Sequence, residues 1–480
     1  MRFSYTTLLW AVSLGSIFAQ VPNGTVFQQQ VINAYEGGFD QELVSDGSFG
    51  DAVANIGDLD GDGTADFAVG APSDNSNTNE QTGKLWILFM NDDGTVRDEQ
   101  SIDEDSGSFT ADLSIKNRFG NAVVNMGDLD GDGVQDLAVG APGSDHGTRV
   151  PGSVYILYMN TNGTVKRHRE ISQGLSGLPI ELFDGDLFGE SLAAVGDLDG
   201  DGNPDLAVGH SGAYVQRGAV QILFLNADQT VRAHSTLTEG QSGLNAGLSN
   251  NNFFGTSLAA LGDLDGNGVT DLAVGAWGFD GFAGGAFVMY MRADGTVLRH
   301  RTLDQNTPGL VGAFDAWDYF GWSMGQIGDI DGDGLPELAV GAPRRPWNGV
   351  TGAGALIILF LDPSARVRDY QRLAPGEGGV TITGDLGYRW FGAAVAPVGD
   401  LNDDRVPDIA VGVSGESGGN SGRGALHLLQ LNGLGEASIR GNVVLDDTGD
   451  PLPNGTAYLF DAYDRTLGRG YDTLTSVRVA

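Results

Sequence analysis

The sequence predicts an all-β fold: a β-propeller of four-stranded blades, six by count, closed where its N- and C-terminal strands meet. Three observations carry this. A Gly-Asp-apolar-Asp/Asn motif recurs with its Asp at 58, 128, 197, 263, 329 and 400, spaced by 66 to 71 residues, and such a period marks a repeat architecture. Each period holds four short, β-rich apolar segments between Gly/Asp/Asn turns, without helical period, which is the pattern of strands joined as hairpins. Four-stranded units repeated around a ring make a propeller. The last copy lacks a fourth segment, and Asn23-Gly24-Thr25-Val26 supplies one at the other end of the chain.

Taken in order, residues 1–19 read as a secretory signal peptide: Arg2 gives a positive start, Leu8 to Phe18 is mostly apolar, and Ala19 is small. Residues 20–432 hold the six repeats. A first strand opens with Phe-Gly, at Phe49, Phe119, Phe188, Phe254, Phe320 and Phe391. An acidic loop follows, then a second strand ending in Ala-Val-Gly, with its Val at 69, 139, 208, 274, 340 and 411. A third, apolar segment such as Leu85 to Met90 leads through a turn such as Asn91-Asp92-Asp93-Gly94 into a fourth strand. Residues 433–480 break the repeat. Ile439-Arg440-Gly441-Asn442-Val443 and the stretch from Asp446 to Asn454 look like the opening of a carboxypeptidase-regulatory-like β-sandwich, as either a short β-rich appendage or a truncated domain.

The loop between the first and second strands carries the chemistry. In the first repeat Asp58, Asp60, Asp62 and Asp66 stand at positions 1, 3, 5 and 9. Gly63 is at position 6, where a chain wrapping an ion turns sharply, and Thr64 at position 7 offers its carbonyl. The matching sets are Asp128, Asp130, Asp132, Val134 and Asp136; Asp197, Asp199, Asp201, Asn203 and Asp205; and Asp263, Asp265, Asn267, Val269 and Asp271. The fifth and sixth are Asp329, Asp331, Asp333, Leu335 and Glu337, and Asp400, Asn402, Asp404, Val406 and Asp408. Hard oxygen donors at this density suit Ca²⁺, with up to six ions bound. Asp/Gly strings also make good hairpin turns, but carboxylates fill 22 of the 24 positions 1, 3, 5 and 9, which turn chemistry does not require. An EF-hand closes with Glu at position 12; here that position is Val in every copy. In the sixth loop Arg405 replaces the Gly and Asn402 lowers the charge, so that loop is predicted to be the weakest.

With Phe-Gly, the acidic loop and Gly-Ala-Pro (Gly70-Ala71-Pro72, Gly140-Ala141-Pro142, Gly341-Ala342-Pro343) in hand, the chain resembles the FG-GAP repeats of the integrin α-subunit propeller over its repeat region. The resemblance implies a propeller with Ca²⁺ in its hairpins, secreted or surface display, and adhesion or ligand binding. The chain departs from the pattern in two ways. Integrin propellers have seven blades against the six counted here, and Gly209-His210, Gly275-Ala276-Trp277 and Gly412-Val413 break the Gly-Ala-Pro.

Composition narrows the partners. With 63 acidic against 26 basic side chains the formal charge is −37, which disfavours nucleic acid, since phosphate contacts need Lys and Arg. The absence of cysteine excludes a disulfide scaffold and a thiolate nucleophile. No run after the leader reaches the length of a transmembrane helix. In a four-stranded meander the acidic loops share one face and the second-to-third-strand loops lie on the other. That open face carries Trp277, Phe279, Phe282, Trp317, Arg344, Arg345 and Trp347 in repeats four and five, the composition of a binding surface. Tyr319, Tyr388 and Trp390 join them. His168, His234 and His300 recur at one place in successive units, so they are structural, and no catalytic set emerges. The predicted function is a secreted or surface calcium-binding propeller that binds an extracellular protein or glycan ligand and is not an enzyme. A non-catalytic accessory propeller of a carbohydrate-active enzyme and a pure scaffold are the alternatives, with oligomeric state left open.

Overall fold

In a computed structural model, residues 23–74, 81–113, 116–143, 151–382, 387–402, 404–415, 422–433, 456–458 and 476–478 are described. The proposed signal peptide and most of the 433–480 segment lie outside them. Six four-stranded antiparallel sheets are formed, five of them simple meanders that follow one another along the chain. Blade one runs Ala52–Gly57, Asp66–Ala71, Lys84–Met90 and Val96–Ile102. The second and third strands are buried along their whole length, which matches their unbroken apolar sequence. The fourth strand is buried at its two ends, Val96 and Ile102, exposed or half-buried between them, and forms the outer edge of the blade.

First strands from all six sheets line a central passage, with Val53, Val123, Leu192, Leu258, Met324 and Val395 among its walls. Neighbouring blades are tied by a parallel bridge between the Gly that opens one third strand and the Phe of the next Phe-Gly. The bridges are Gly83 with Phe119, Gly152 with Phe188, Gly218 with Phe254, Gly284 with Phe320, Gly354 with Phe391 and, closing the ring, Gly424 with Phe49. Glycine is required there: at Gly83, φ is +88° and a Cβ would sit 2.2 Å from the Phe119 carbonyl oxygen. The six Phe rings are fully buried between blades.

The sixth sheet is made from both ends of the repeat region. Val26–Ile32 pairs antiparallel with Leu426–Leu431. The turn between them is reassembled from two ends: Asn432 N donates to Thr25 O at 2.7 Å and Gly24 N to Asn432 O at 2.6 Å. Those are the bonds that Asn91, Gly94 and Thr95 make within one continuous turn. Six blades, not seven, complete the circle. Residues 436–480 form a separate unit, in which Thr456–Tyr458 pairs antiparallel with Ser476–Arg478.

Candidate metal loops and ligand face

The turns joining strands one to two and three to four lie side by side, with Thr64 Oγ1 donating to Asp92 Oδ1 at 2.8 Å. The carboxylate at position 1 organises the loop from within. Asp58 Oδ1 accepts from the amides of Gly61 and Asp62, and Oδ2 from that of Gly63, all at 2.7 to 2.9 Å. Asp128, Asp197, Asp263 and Asp329 repeat this. Position 9 anchors the loop to the sheet: buried Asp66 accepts from Leu59 N at 2.9 Å and Met90 N at 3.0 Å. Burial pushes Asp66, Asp136, Asp205 and Asp271 up to about 6, and Asp408 up to about 7. Glu337, one methylene longer, accepts from Ile330 N through Oε2 and leaves Oε1 buried without a partner, and burial pushes it up to about 8.

Carboxylate oxygens converge within 4.8 Å of one another in five loops. They come from Asp58, Asp60 and Asp62; Asp128, Asp130 and Asp136; Asp197, Asp199 and Asp205; Asp263, Asp265 and Asp271; and Asp329, Asp331, Asp333 and Glu337. Among the described residues of loop six no such group forms. The oxygens fit a hard divalent cation. Asp199 Oδ1, Asp265 Oδ1 and Glu337 Oε1 are buried acceptors with no protein partner, and an unpaired buried carboxylate oxygen is costly unless a cation meets it.

The loops have a protein counter-charge that the sequence reading missed. A basic side chain early in the fourth strand reaches back to positions 3 and 5 of its own blade's loop. Arg97 pairs with Asp60 and Asp62. Lys166 lies 2.8 Å from Asp130 and 2.5 Å from Asp132, and Arg232 lies 2.6 Å from Asp199 and 2.8 Å from Asp201. Arg368 repeats the contact with Asp331 and Asp333, and Arg299 reaches Asp265 at 3.5 Å. The signal was a Lys or Arg directly after the Val of the fourth strand in four repeats. Blade six has Phe27 there instead.

On the opposite face the aromatic residues form a strip across blades four to six. Phe253 stacks on Trp277 (centroids 4.2 Å apart), Trp277 meets Phe282 and Tyr319, and Phe282 stacks on Trp317 (4.7 Å). Trp322 extends the strip to Trp390. Trp317 is 58% and Tyr388 62% exposed. Arg344 donates to Tyr319 Oη at 2.6 Å and lies over its ring. Three further residues read as part of this face make their contacts outside the strip of rings. Phe279 packs edge-on against buried Phe287, Arg345 is held 3.0 Å from the buried carboxylate of Asp318, and Trp347 lies over Gly376. Phe253 and Trp322, members of the strip, went unnoticed in the sequence because they hide beside the Phe-Gly signature.

The backbone beneath the strip is common to every blade. The residues three and one before each Phe of Phe-Gly have positive φ: Asp46 and Ser48, Lys116 and Arg118, Gly185 and Leu187, Asn251 and Phe253, Trp317 and Tyr319, Tyr388 and Trp390. His168, His234 and His300 face Leu157, Leu223 and Met289 in three separate sheets.

Comparison with known proteins fits this architecture. The FG-GAP repeat model matches residues 49–88, 119–157, 188–223, 320–359 and 391–429, which are five of the six blades. Integrin alpha-5 of Xenopus laevis is 36% identical over 241 residues, covering 49% of this chain and 20% of the relative. Phosphatidylinositol-glycan-specific phospholipase D of Bos taurus is 25% identical over 394 residues, covering 75% of this chain and 44% of the relative. Integrin alpha-M of Mus musculus is 27% identical over 345 residues, covering 70% of this chain and 24% of the relative. The chain therefore spans less than half the length of these relatives. It carries FG-GAP repeats and is similar to integrin alpha subunits in its propeller.

Proposed function

From FG-GAP repeats closed into a ring of six blades, we propose that this chain is an extracellular or surface-displayed, calcium-binding, non-enzymatic module that engages a protein ligand through its aromatic strip. One observation carries the reading. The positive-φ positions before Phe-Gly recur in all six blades, and bulky side chains are disfavoured there. Blades one to three place Asp, Ser, Lys, Arg, Gly and Leu at them, whereas blades four to six place Asn251 and five aromatics, Phe253, Trp317, Tyr319, Tyr388 and Trp390. The shared backbone does not ask for aromatics, and a surface strip of half-buried rings that ends in exposed Trp317 is suited to an interaction. Arg344 among the rings adds the other residue type favoured in binding hot spots. Similarity to integrin alpha subunits supports extracellular display, and among the described residues no helix is long and apolar enough to cross a membrane.

Calcium would be held by the position 1, 3, 5 and 9 carboxylates, with the position 7 carbonyl, and would neutralise loops whose acidic groups otherwise repel. The test is ligand capture on an array of extracellular matrix proteins in calcium, followed by Trp317→Ala and Trp277→Ala. Each variant is expected to weaken capture at least about tenfold, with little change in melting temperature for exposed Trp317→Ala and some loss for Trp277→Ala, which removes four ring contacts. Capture unaffected by both would exclude the strip. A second reading, favoured by the match to phospholipase D along 75% of the chain, is an accessory propeller of a hydrolytic enzyme; it predicts no capture by matrix proteins.

A further inference from the structure

Blade three is open at a place that blade four fills with its own side chains. The two blades share a short loop of the same length between their second and third strands, Gly212 to Gly218 and Gly278 to Gly284, and in both it makes a left-handed turn. In blade four Phe279 of that loop packs edge-on against Phe287 of the third strand, with ring centroids 5.2 Å apart. The corresponding residues in blade three are Ala213 and Gln221. Strand register fixes the second correspondence: the residue opposite the Val of Ala-Val-Gly is Trp86, Tyr155 and Phe287 in blades one, two and four, and Gln221 in blade three. Blade three lacks both rings of the pair, and a cavity of about 770 Å³ lies there, within the range of about 300 to 1,000 Å³ typical of ligand sites.

Ile180, Phe183, Ala213, Tyr214 and Val215 supply apolar wall, and the rings of Phe183 and Tyr214, both about half exposed, stand at the mouth with exposed Val215. The polar groups of the floor answer one another. Thr236 Oγ1 donates to Gln221 Oε1 at 2.8 Å, and the amide nitrogen of Gln221 meets His210 Nε2 at 3.1 Å. Asp186 accepts from Phe183 N at 2.8 Å, while Glu181 and Asp184, which also border the cavity, are engaged within the protein. His210 Nδ1 is sealed beneath this layer, out of reach of an occupant. Nothing in the floor therefore asks an occupant for a hydrogen bond. The rim is strained: Tyr214, Val215 and Gln216 have φ of 52°, 61° and 61° in succession, and Val215 stands where blade four has Gly281. Left-handed backbone is costly for a β-branched residue, and such strain collects at ligand clamps. Gln216 O accepts from Phe253 N at 2.9 Å, which joins the rim to the backbone carrying the first ring of the aromatic strip.

We infer that this cavity is a socket for one aromatic side chain of a protein partner, which takes the space that Phe279 fills in blade four. The molecule itself shows what fits: the same loop backbone closes over a phenyl ring in the neighbouring blade, and blade three has the loop without the ring. Ring contacts with Phe183 and Tyr214 favour an aromatic over an aliphatic side chain. A large side chain buried in a preformed pocket is also how a few residues come to dominate an interface. Because the rim is bonded to the backbone of the strip, a partner lying on the strip reaches the socket beside it. The identity of the partner as a protein rests on the reading proposed above, whereas the preference of the socket for a ring is measurable without that partner.

Saturation-transfer NMR on the full chain in calcium would use N-acetyl-phenylalaninamide as the probe, with N-acetyl-leucinamide and N-acetyl-alaninamide as contrasts. Saturable binding of the phenylalanine probe is expected, about fivefold tighter than that of the leucine probe, with the alanine probe unbound. The double variant Ala213→Phe, Gln221→Phe, which installs the filling of blade four, is expected to reduce that binding at least about tenfold. Tyr214→Ala is expected to weaken it about fivefold by removing one ring contact, and it keeps the test decisive if the double variant does not fold. Capture of a matrix protein should fall with the same variants. No saturable binding of the phenylalanine probe, equal binding of the leucine probe, probe binding indifferent to Tyr214→Ala or to the double variant, or matrix-protein capture that neither variant weakens would overturn the assignment. If no matrix protein is captured by the parent chain, the strip reading fails, and the probe measurements still decide whether the socket takes a ring.

Discussion

Arg405 has φ +69° at loop position 6, where the other five loops have glycine. Its amide still donates to Asp400 Oδ2 at 2.6 Å, as Gly63 N does to Asp58, so the loop keeps its shape and the side chain bears the steric conflict between its Cβ and the backbone. A left-handed conformation costs a non-glycine residue roughly 1–2 kcal/mol, part of which glycine returns through the greater freedom it gives the unfolded chain. Arg405→Gly is therefore expected to stabilise the protein by up to about 1 kcal/mol in denaturant unfolding. The gain should also appear as tighter calcium binding by the sixth loop. A destabilised variant would show that the Arg405 side chain makes contacts worth more than the strain. This conflict was legible in the sequence because the repeat itself defines which residue belongs at position 6. Glu337 was legible only as an acidic residue: that its longer side chain orphans one oxygen depends on where the third strand ends.

At the scale of one blade, the acidic hairpin and the fourth strand act as a charged pair. The Asp cluster was readable from sequence because its ligands lie within nine residues of one another. The base that answers it lies more than thirty residues on, and only the register of three strands brings Arg232 to Asp199 and Asp201. Conversely, the strand count, the turns and the buried Phe-Gly rings are all short-range signals, and each stands where the repeat placed it. Arg232 partly neutralises its loop without metal, so Arg232→Gln removes that relief. In chelator its melting temperature should fall below that of the parent, while in saturating calcium the two should agree more closely. A loss of the same size in both conditions would mean that Arg232 serves packing, for instance against the Phe224 ring, and not charge.

For the whole molecule, the loop expected to be weakest and the junction of two sequence-distant strands fall in the same blade. Five sheets are continuous meanders, but the sixth depends on Val26–Ile32 finding Leu426–Leu431 across almost the entire repeat region. Separating them exposes a strand edge on each side and leaves Val26–Ile32 held by contacts such as Val26 N to Gly378 O and Gln29 to Thr381. Loop six has Arg405 and Asn402 and no strand-four base, and it shows no convergent carboxylate group among its described residues. It should therefore release calcium first as the ion is withdrawn. Six ions would bring the formal net charge from −37 to −25, so their loss also restores repulsion around the ring and favours opening at its least secured seam. Hydrogen exchange during a stepwise calcium withdrawal should show the amides of residues 26–32 and 426–431 losing protection before those of blades one to five, with the fall in melting temperature beginning at the same calcium concentration. Deleting residues 23–32 should reproduce that open state in full calcium and yield an aggregating protein. Uniform loss of protection across all six blades, or a monomeric deletion variant with the parental melting temperature, would show that the ring is not held shut by this pairing.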